Sequence, residues 1–323
     1  MRRWRCQIHA GLLTVLVGVA AAQAEPASGQ MQSAVSAADA SAPAQPAAVQ
    51  LRPPVHDSDN AFISFFRDGE WYASWGYSKQ YWSPTDIHVS QPSLGNDFTV
   101  HDVHGSDDFS FSDIFNVTDL FGPQYNIRVG RFINDDRTIA VEFNFDHTKY
   151  NTNLGQTSQV TGQVSGVPTN AYYQLTNQFF SEELHNGANH VMVNGVYRYP
   201  LIGQTNESLS VAAIAKAGVG IMLPHTTDTI TGYTNDVGGK TLGNSIGLTN
   251  GWWQLNGWTT GVELGFRVVL FKPVYLELTD KETYARLSDL PAYLGTLQQS
   301  MWMNEIVLSI GFTYDGASGS GSR

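Results

Sequence analysis

The amino-acid sequence predicts an all-β fold, a closed antiparallel β-barrel of about eight strands over residues 70–314. Three patterns carry that expectation. Apolar residues recur at every second position, the alternating segments are long, and the connections between them are alternately short and long.

The first strand, near 70–78, holds Trp71, Trp75 and Tyr77 on one face. The second, near 124–133, carries Arg128, and only Asn134 to Arg137 separate it from the third. That third strand, near 138–149, interleaves Ile139, Val141, Phe143 and Phe145 with Ala140, Glu142, Asn144 and Asp146. The fourth, near 188–199, ends on Tyr197, Arg198 and Tyr199 and turns through 200–206. The fifth, near 207–222, sets Leu209, Val211, Ala213, Ala215, Ala217, Val219 and Ile221 opposite Lys216. In the sixth, near 257–270, Trp258, Val262, Leu264, Phe266 and Leu270 alternate with Glu263 and Arg267. Phe271, Lys272 and Pro273 turn the chain into the seventh, near 274–286, with Glu277 and Lys281. The last, near 300–314, places Trp302, Ile306, Leu308, Ile310, Phe312 and Tyr314 against Glu305. The longer connections, 79–123, 150–187, 223–256 and 287–299, all fall at one end.

One face of each strand is therefore apolar and the other mixes both signs of charge with small residues. A soluble β-sandwich would turn the apolar face inward; a transmembrane barrel turns it to lipid and fills the lumen with the polar face. Strands of about 9–15 residues suit a tilted bilayer crossing, and aromatics gather at strand ends as in interfacial girdles. Short turns on one side and long loops on the other complete the barrel pattern.

The N-terminus reads as an address. Arg2, Arg3 and Arg5 precede an apolar run from Ala10 to Ala22, and Ala22-Gln23-Ala24 is a small-x-small cleavage site, so 1–24 is a signal peptide. Residues 25–69 form a disordered periplasmic leader rich in Ala, Pro, Ser and Gln. Phe62, Phe65 and Phe66 within it have the spacing of a short amphipathic turn. A flexible tail, 315–323, follows the barrel. The protein is exported to the cell outer membrane on this reading.

Composition narrows the function. The chain has 18 Lys and Arg against 29 Asp and Glu, a net charge of −11, which excludes a nucleic-acid binder that works by counterion release. Its one cysteine, Cys6, lies in the signal peptide, so the mature chain has no disulfide, thiolate zinc site or cysteine nucleophile. Asn116-Val117-Thr118 and Asn206-Glu207-Ser208 match a glycosylation acceptor by chance in a bacterial-type export context.

The segment Glu305-Ile-Val-Leu-Ser-Ile-Gly-Phe-Thr-Tyr314 resembles the C-terminal signal of outer-membrane barrels, with a short tail after the final aromatic. The layout of 70–314 resembles the eight-stranded OmpA-like/opacity-protein class. The blocks Asp86 to Pro92, Asp97 to His104, Glu142 to His147 and Leu184 to Gly187 resemble an uncharacterised outer-membrane group that includes a lipid A oxidase. The barrel lipid A deacylases carry a His-x-Ser pair in a late strand; no His follows His225 here, which sets that activity aside.

Three groups of residues are candidates for chemistry. The inward faces supply a charge network of Arg128, Arg198, Lys216, Arg267 and Lys281 with Glu142, Asp146, Glu263, Glu277 and Glu305. An eight-stranded barrel is only wide enough for side chains to fill it, so this network reads as a plug, with a small porin-like pore as its rival. The first long connection is acidic and holds His88, His101, Asp102 and His104, which offer ligands to a divalent cation. Asp146, His147, His185 and His190 lie where adjacent strands meet at the mouth, as a lipid A-modifying enzyme would require; His147 falls in the outward phase of its strand, against His190 in the inward phase. The expected role is a monomeric barrel with a closed lumen and external loops, in contact with outer-membrane lipids, lipopolysaccharide and, during biogenesis, the barrel-assembly machinery.

Overall fold

A computed structural model describes residues 69–110, 112, 121–204, 207–236, 246–247 and 253–315. The signal peptide, nearly all of the leader with its Phe62–Phe66 turn, residues 316–323 of the tail and both acceptor asparagines lie outside these residues. In chain order the strands are β1 (Glu70–Trp82), β2 (Thr85–Gln91), β3 (Asn96–Val103), β4 (Gly105–Ser106), β5 (Tyr125–Phe132), β6 (Ile139–Asp146), β7 (Asn151–Thr152), β8 (Thr157–Val164), β9 (Val167–Gln174) and β10 (Phe180–Glu183). They continue with β11 (Ala188–Ile202), β12 (Ser210–Pro224), β13 (Thr227–Ile230), β14 (Tyr233–Asp236), β15 (Ile246–Gly247), β16 (Trp253–Gln254), β17 (Gly257–Phe271), β18 (Val274–Ala292) and β19 (Gly295–Asp315).

Eight of these strands form a closed antiparallel barrel. The order is β1-β5-β6-β11-β12-β17-β18-β19, and β19 pairs back on β1 from Glu70↔Asp315 to Trp82↔Met303. Closure satisfies the backbone groups that an open edge would leave bare. The eight strands lie within a few residues of the sequence expectation at most ends; Asp315 closes the last strand rather than opening the tail.

The side chains alternate as the pleat requires. Val141, Phe143, Val193, Val219, Val262, Phe266, Leu278, Leu308 and Ile310 are exposed on the outer wall, while Glu142, Lys216, Glu263, Arg267, Lys281 and Glu305 are buried inside it. Two inward glycines show how the interior is filled. A Cβ on Gly130 would lie 2.2 Å from the Tyr72 ring, and one on Gly311 would lie 2.2 Å from the Tyr275 ring. Each glycine is the cross-strand partner of the tyrosine that covers it. Tyr72 and Tyr275 thereby join Phe132, Ala140, Val196, Ile214 and Val269 in an apolar layer across the end with the short turns.

The other end departs from expectation. The segments read as long loops contain strands. β19 continues beyond the barrel and pairs with β2, and the sheet runs on through β3, β8 and β9. A second sheet, β14-β13-β10-β7-β4, contributes Phe180 and Ile230, with Leu184 just past β10, to a shared core with Ile87, Val89, Phe98, Val100, Leu287, Leu297 and Met301. The expected loop 287–299 shrinks to a tight hairpin at Tyr293 and Leu294. The reason is visible in β2 and β3. Asp86 and His88, and Asp97 and His101, are the more exposed half of strands whose other half, Ile87, Val89, Phe98 and Val100, is buried. The charges that suggest a solvated loop are the wet face of a β-sheet.

This cap stands on apolar packing, so Phe98→Ala should lower its stability by about 3–5 kcal/mol. Limited proteolysis of the folded protein should then cut within 85–106, while the barrel keeps its heat-dependent gel migration. An uncut variant would show that the cap core is not what holds these strands.

Candidate functional site

The barrel interior is built by register. Lys216 on β12 lies beside Glu263 on β17, Glu263 beside Lys281 on β18, and Lys281 beside Glu305 on β19. Charges thus alternate in sign around half of the wall in a single row. Arg267 and Glu277 are partners in a second row nearer the short turns.

Side-chain contacts link the rows. The Lys216 ammonium lies 3.2 Å from Glu142, 3.3 Å from Glu263 and 2.7 Å from Glu277. Arg128 reaches Glu263 at 3.2 Å, and Glu142 and Asp146 at 3.7 Å. Lys281 pairs with Asp146, and Arg267 holds Glu277 at 2.7 Å. Neutral donors supplement the ions. Tyr72 donates to Glu142 at 2.9 Å, Asn194 donates to Glu142 at 3.2 Å, and Asn126 donates to both Asp146 and Glu305 at 3.0 Å. The Arg267 guanidinium also lies 4.6 Å from the Tyr72 ring centre and 4.1 Å from that of Tyr275.

The sequence reading left out several of these partners. Arg198 meets Glu70 at 3.2 Å, and Arg137 meets the same carboxylate at 3.1 Å and Asp315 at 2.9 Å. Glu70 stands at the first residue of its strand and Arg137 in a turn, where alternation gives no phase to read. Arg137 follows β5, the direct neighbour of β1, Arg198 reaches Glu70 from β11, and Asp315 joins them through closure, which sets the first strand beside the last.

The mouth residues are dispersed. Asp146 is buried in the ionic interior. Its cross-strand neighbour His190 is also buried, with Nδ1 2.9 Å from the Thr259 hydroxyl and, among the described residues, no partner at Nε2. His147 belongs to a different environment. Its ring stacks on Tyr125 at 5.0 Å, and Nδ1 lies 2.7 Å from the Asn189 side-chain oxygen. Tyr125 stacks in turn on Trp75 at 5.1 Å, within an aromatic group that includes Phe121. His185 is on the cap surface, with Nδ1 3.3 Å from Glu183 and Nε2 2.9 Å from Asn186. The structure brings Asp146 and His190 together and leaves His147 and His185 elsewhere.

The acidic histidines lie as separate pairs, His88 and His101 on the outer face of β2 and β3 and His104 just past β3. His101 is 3.0 Å from Asp86 and 2.7 Å from the Thr161 hydroxyl. His88 is 3.3 Å from Asp97, and His104 is 3.9 Å from Asp102. Partial burial tends to raise the Asp86 pKa, but hydrogen bonds from the Asp102 backbone N–H and from His101 outweigh it and lower the group below its ordinary value. Among the described residues no group of three or more His, Cys, Asp or Glu gathers as a metal ion would require.

No protein-family model matches the chain, and no curated protein matches it in sequence. Solved structures similar to it are outer-membrane β-barrels. OprG from Pseudomonas aeruginosa is 13% identical, with a TM-score of 0.35, covering 77% of this chain and 97% of its own. Neisserial surface protein A is 10% identical, with a TM-score of 0.33, covering 76% and 100%. The outer membrane protein AlkL is 13% identical, with a TM-score of 0.32, covering 78% and 93%.

Lys216 is the ion on which three carboxylates converge. Lys216→Met leaves Glu142, Glu263 and Glu277 short of a buried cation and should cost about 3–5 kcal/mol. Denaturant titration of the folded barrel would read that loss. A variant as stable as the parent would mean that the interior is hydrated and the pairing weak.

Proposed function

We propose that the protein is an integral outer-membrane barrel with a closed lumen, whose folded cap is a rigid platform at the cell surface. The observation that carries this reading is the inverted polarity of the wall, with charge inside and apolar side chains outside. In water such a surface would be a large aggregation site; in a bilayer it is the stable arrangement. On β19 the outward residues Ile306, Leu308, Ile310, Phe312 and Tyr314 form an apolar strip, and Asn304, bonded to Asp280 and Glu282 of β18, separates it from Trp302. The strip rises about 27 Å along the strand, or roughly 20 Å along the axis at the usual tilt, close to the height of the apolar band of outer-membrane barrels. Trp258, Tyr284 and Trp302 pack ring to ring across β17, β18 and β19 at 5.5 and 5.0 Å, as a girdle at the upper interface. No helix among the described residues is long and apolar enough to cross a membrane.

Both ends of the lumen are obstructed, by the apolar layer of Tyr72, Phe132 and Tyr275 and by the cap core. That supports a scaffold rather than a pore. The separation of His147 and His185 from Asp146 and His190 favours a structural or interaction role over lipid A chemistry. Asp86, Asp97 and Asp102 on the cap's outer face suit contact with lipopolysaccharide through bridging divalent ions.

Substitution on the lipid face tests the membrane assignment. Val141→Arg should impair assembly into lipid vesicles by about 2–4 kcal/mol if that position lies near mid-bilayer. Recovery of the same variant as a soluble, folded monomer would overturn it.

A further inference from the structure

The cap contains two acids that the interior network does not use. Glu182 on β10 and Asp228 on β13 are direct cross-strand partners and point from the second sheet into the apolar core. Glu182 is 0% exposed and Asp228 is 1% exposed. The groups around them are neutral. From β19, the Gln299 amide nitrogen lies 2.7 Å from each Glu182 oxygen. From β14, the Asn235 amide donates to Asp228 at 3.2 Å. β7 contributes Thr152, whose hydroxyl bonds the Glu182 backbone, and the buried Tyr150 phenol precedes it. Leu287 and Ile87 come from β18 and β2. Nearby Asp236 faces His225 at 3.0 Å, and Arg286 bonds Ser300 and Gln298 on the opposite face of the wall. Among the described residues no cation touches either acid.

We propose that Glu182 and Asp228 form a proton-bound latch, which joins the second cap sheet to the extended barrel wall through Gln299 and loosens when the pair ionises. Two carboxylates side by side in an apolar core repel each other and lack hydration, so a bound proton removes the largest cost. The proton also gives the pair an O–H donor. Among the described residues Gln299 Oε1 and Asp228 Oδ1 are buried acceptors with no donor, and turning the Gln299 amide over would bring its oxygen to that O–H. The latch concerns the cap alone and stands whether or not the barrel lies in a membrane.

The direction of the pH effect follows. Burial, reinforced by Asp228, pushes Glu182 from its ordinary 4.5 up to about 8, and burial pushes Asp228 from 3.8 up to about 7. A carboxyl whose pKa rises on folding contributes stability that is full below its unfolded pKa and is lost as pH climbs through the folded value. The cap should therefore be tight in mild acid and loosen across neutrality into mild alkali.

Hydrogen–deuterium exchange of the full chain in detergent, corrected for intrinsic pH dependence, tests this. Between pH 6 and pH 9, peptides covering 148–152, 180–184 and 226–230 should lose protection by roughly 10- to 100-fold, and peptides from 274–286 should not change. Glu182→Gln should remove most of that loss, and Asp228→Asn should reduce it. At pH 6 the infrared band of a protonated carboxylic acid should be present in the parent and reduced in Glu182→Gln. Flat protection in the parent, or an unchanged pH response in both variants, would overturn the latch. Should Glu182→Gln fail to fold, Asp228→Asn and the infrared band of the parent decide it.

Discussion

The constraint on which the structure depends is charge pairing inside a narrow wall. Lys216, Glu263, Lys281 and Glu305 follow one another around the barrel with alternating sign because register places them side by side. A one-residue slip of any of these strands would carry an ion to the outer face and an apolar side chain to the inner one. Both costs are large, so the pairing selects the register as well as stabilising it.

The same constraint shapes the ends of the lumen. Ionic groups crowded at mid-height need a low-polarity boundary to keep bulk water from competing for them. At the turn end that boundary is made by Tyr72, Phe132 and Tyr275, with Gly130 and Gly311 making room for the rings. At the other end the extended strands and the second sheet close over a separate apolar core. The cap is therefore continuous with the wall: β18 and β19 belong to both. A rigid barrel wall of this kind gives the cap a fixed orientation, which an interaction platform requires.

The barrel was legible in the sequence because its signal follows directly from the pleat. Alternation assigns Val141 outward and Glu142 inward, and the structure exposes the first and buries the second. The cap was not legible for a related reason. β10 has only four residues, Phe180–Glu183, with two acids among them, and nothing local says that Glu182 faces an apolar core. Ile87 and Val89 alternate with Asp86, His88 and Ser90 over a short span, where charge outweighs period to the eye. Partners brought together by strand order, such as Glu70 with Arg137 and Arg198, are far apart in sequence and carry no local mark. The mouth histidines share proximity in strand order but not in facing. His147 points to an aromatic girdle and His190 to the lumen, so topology without phase overstates what meets.

The central claim is that a sealed, ion-paired interior stands behind a lipid-facing wall. A spin-label accessibility scan along β19, with the protein in lipid bilayers, tests it most directly. Labels at Ile306, Leu308, Ile310 and Phe312 should collide freely with oxygen dissolved in the hydrocarbon. Labels at Glu305, Val307 and Ser309 should be shielded from oxygen and from a water-soluble relaxation agent alike. Ready access of the water-soluble agent to the inward positions, or loss of the period of two, would contradict the account.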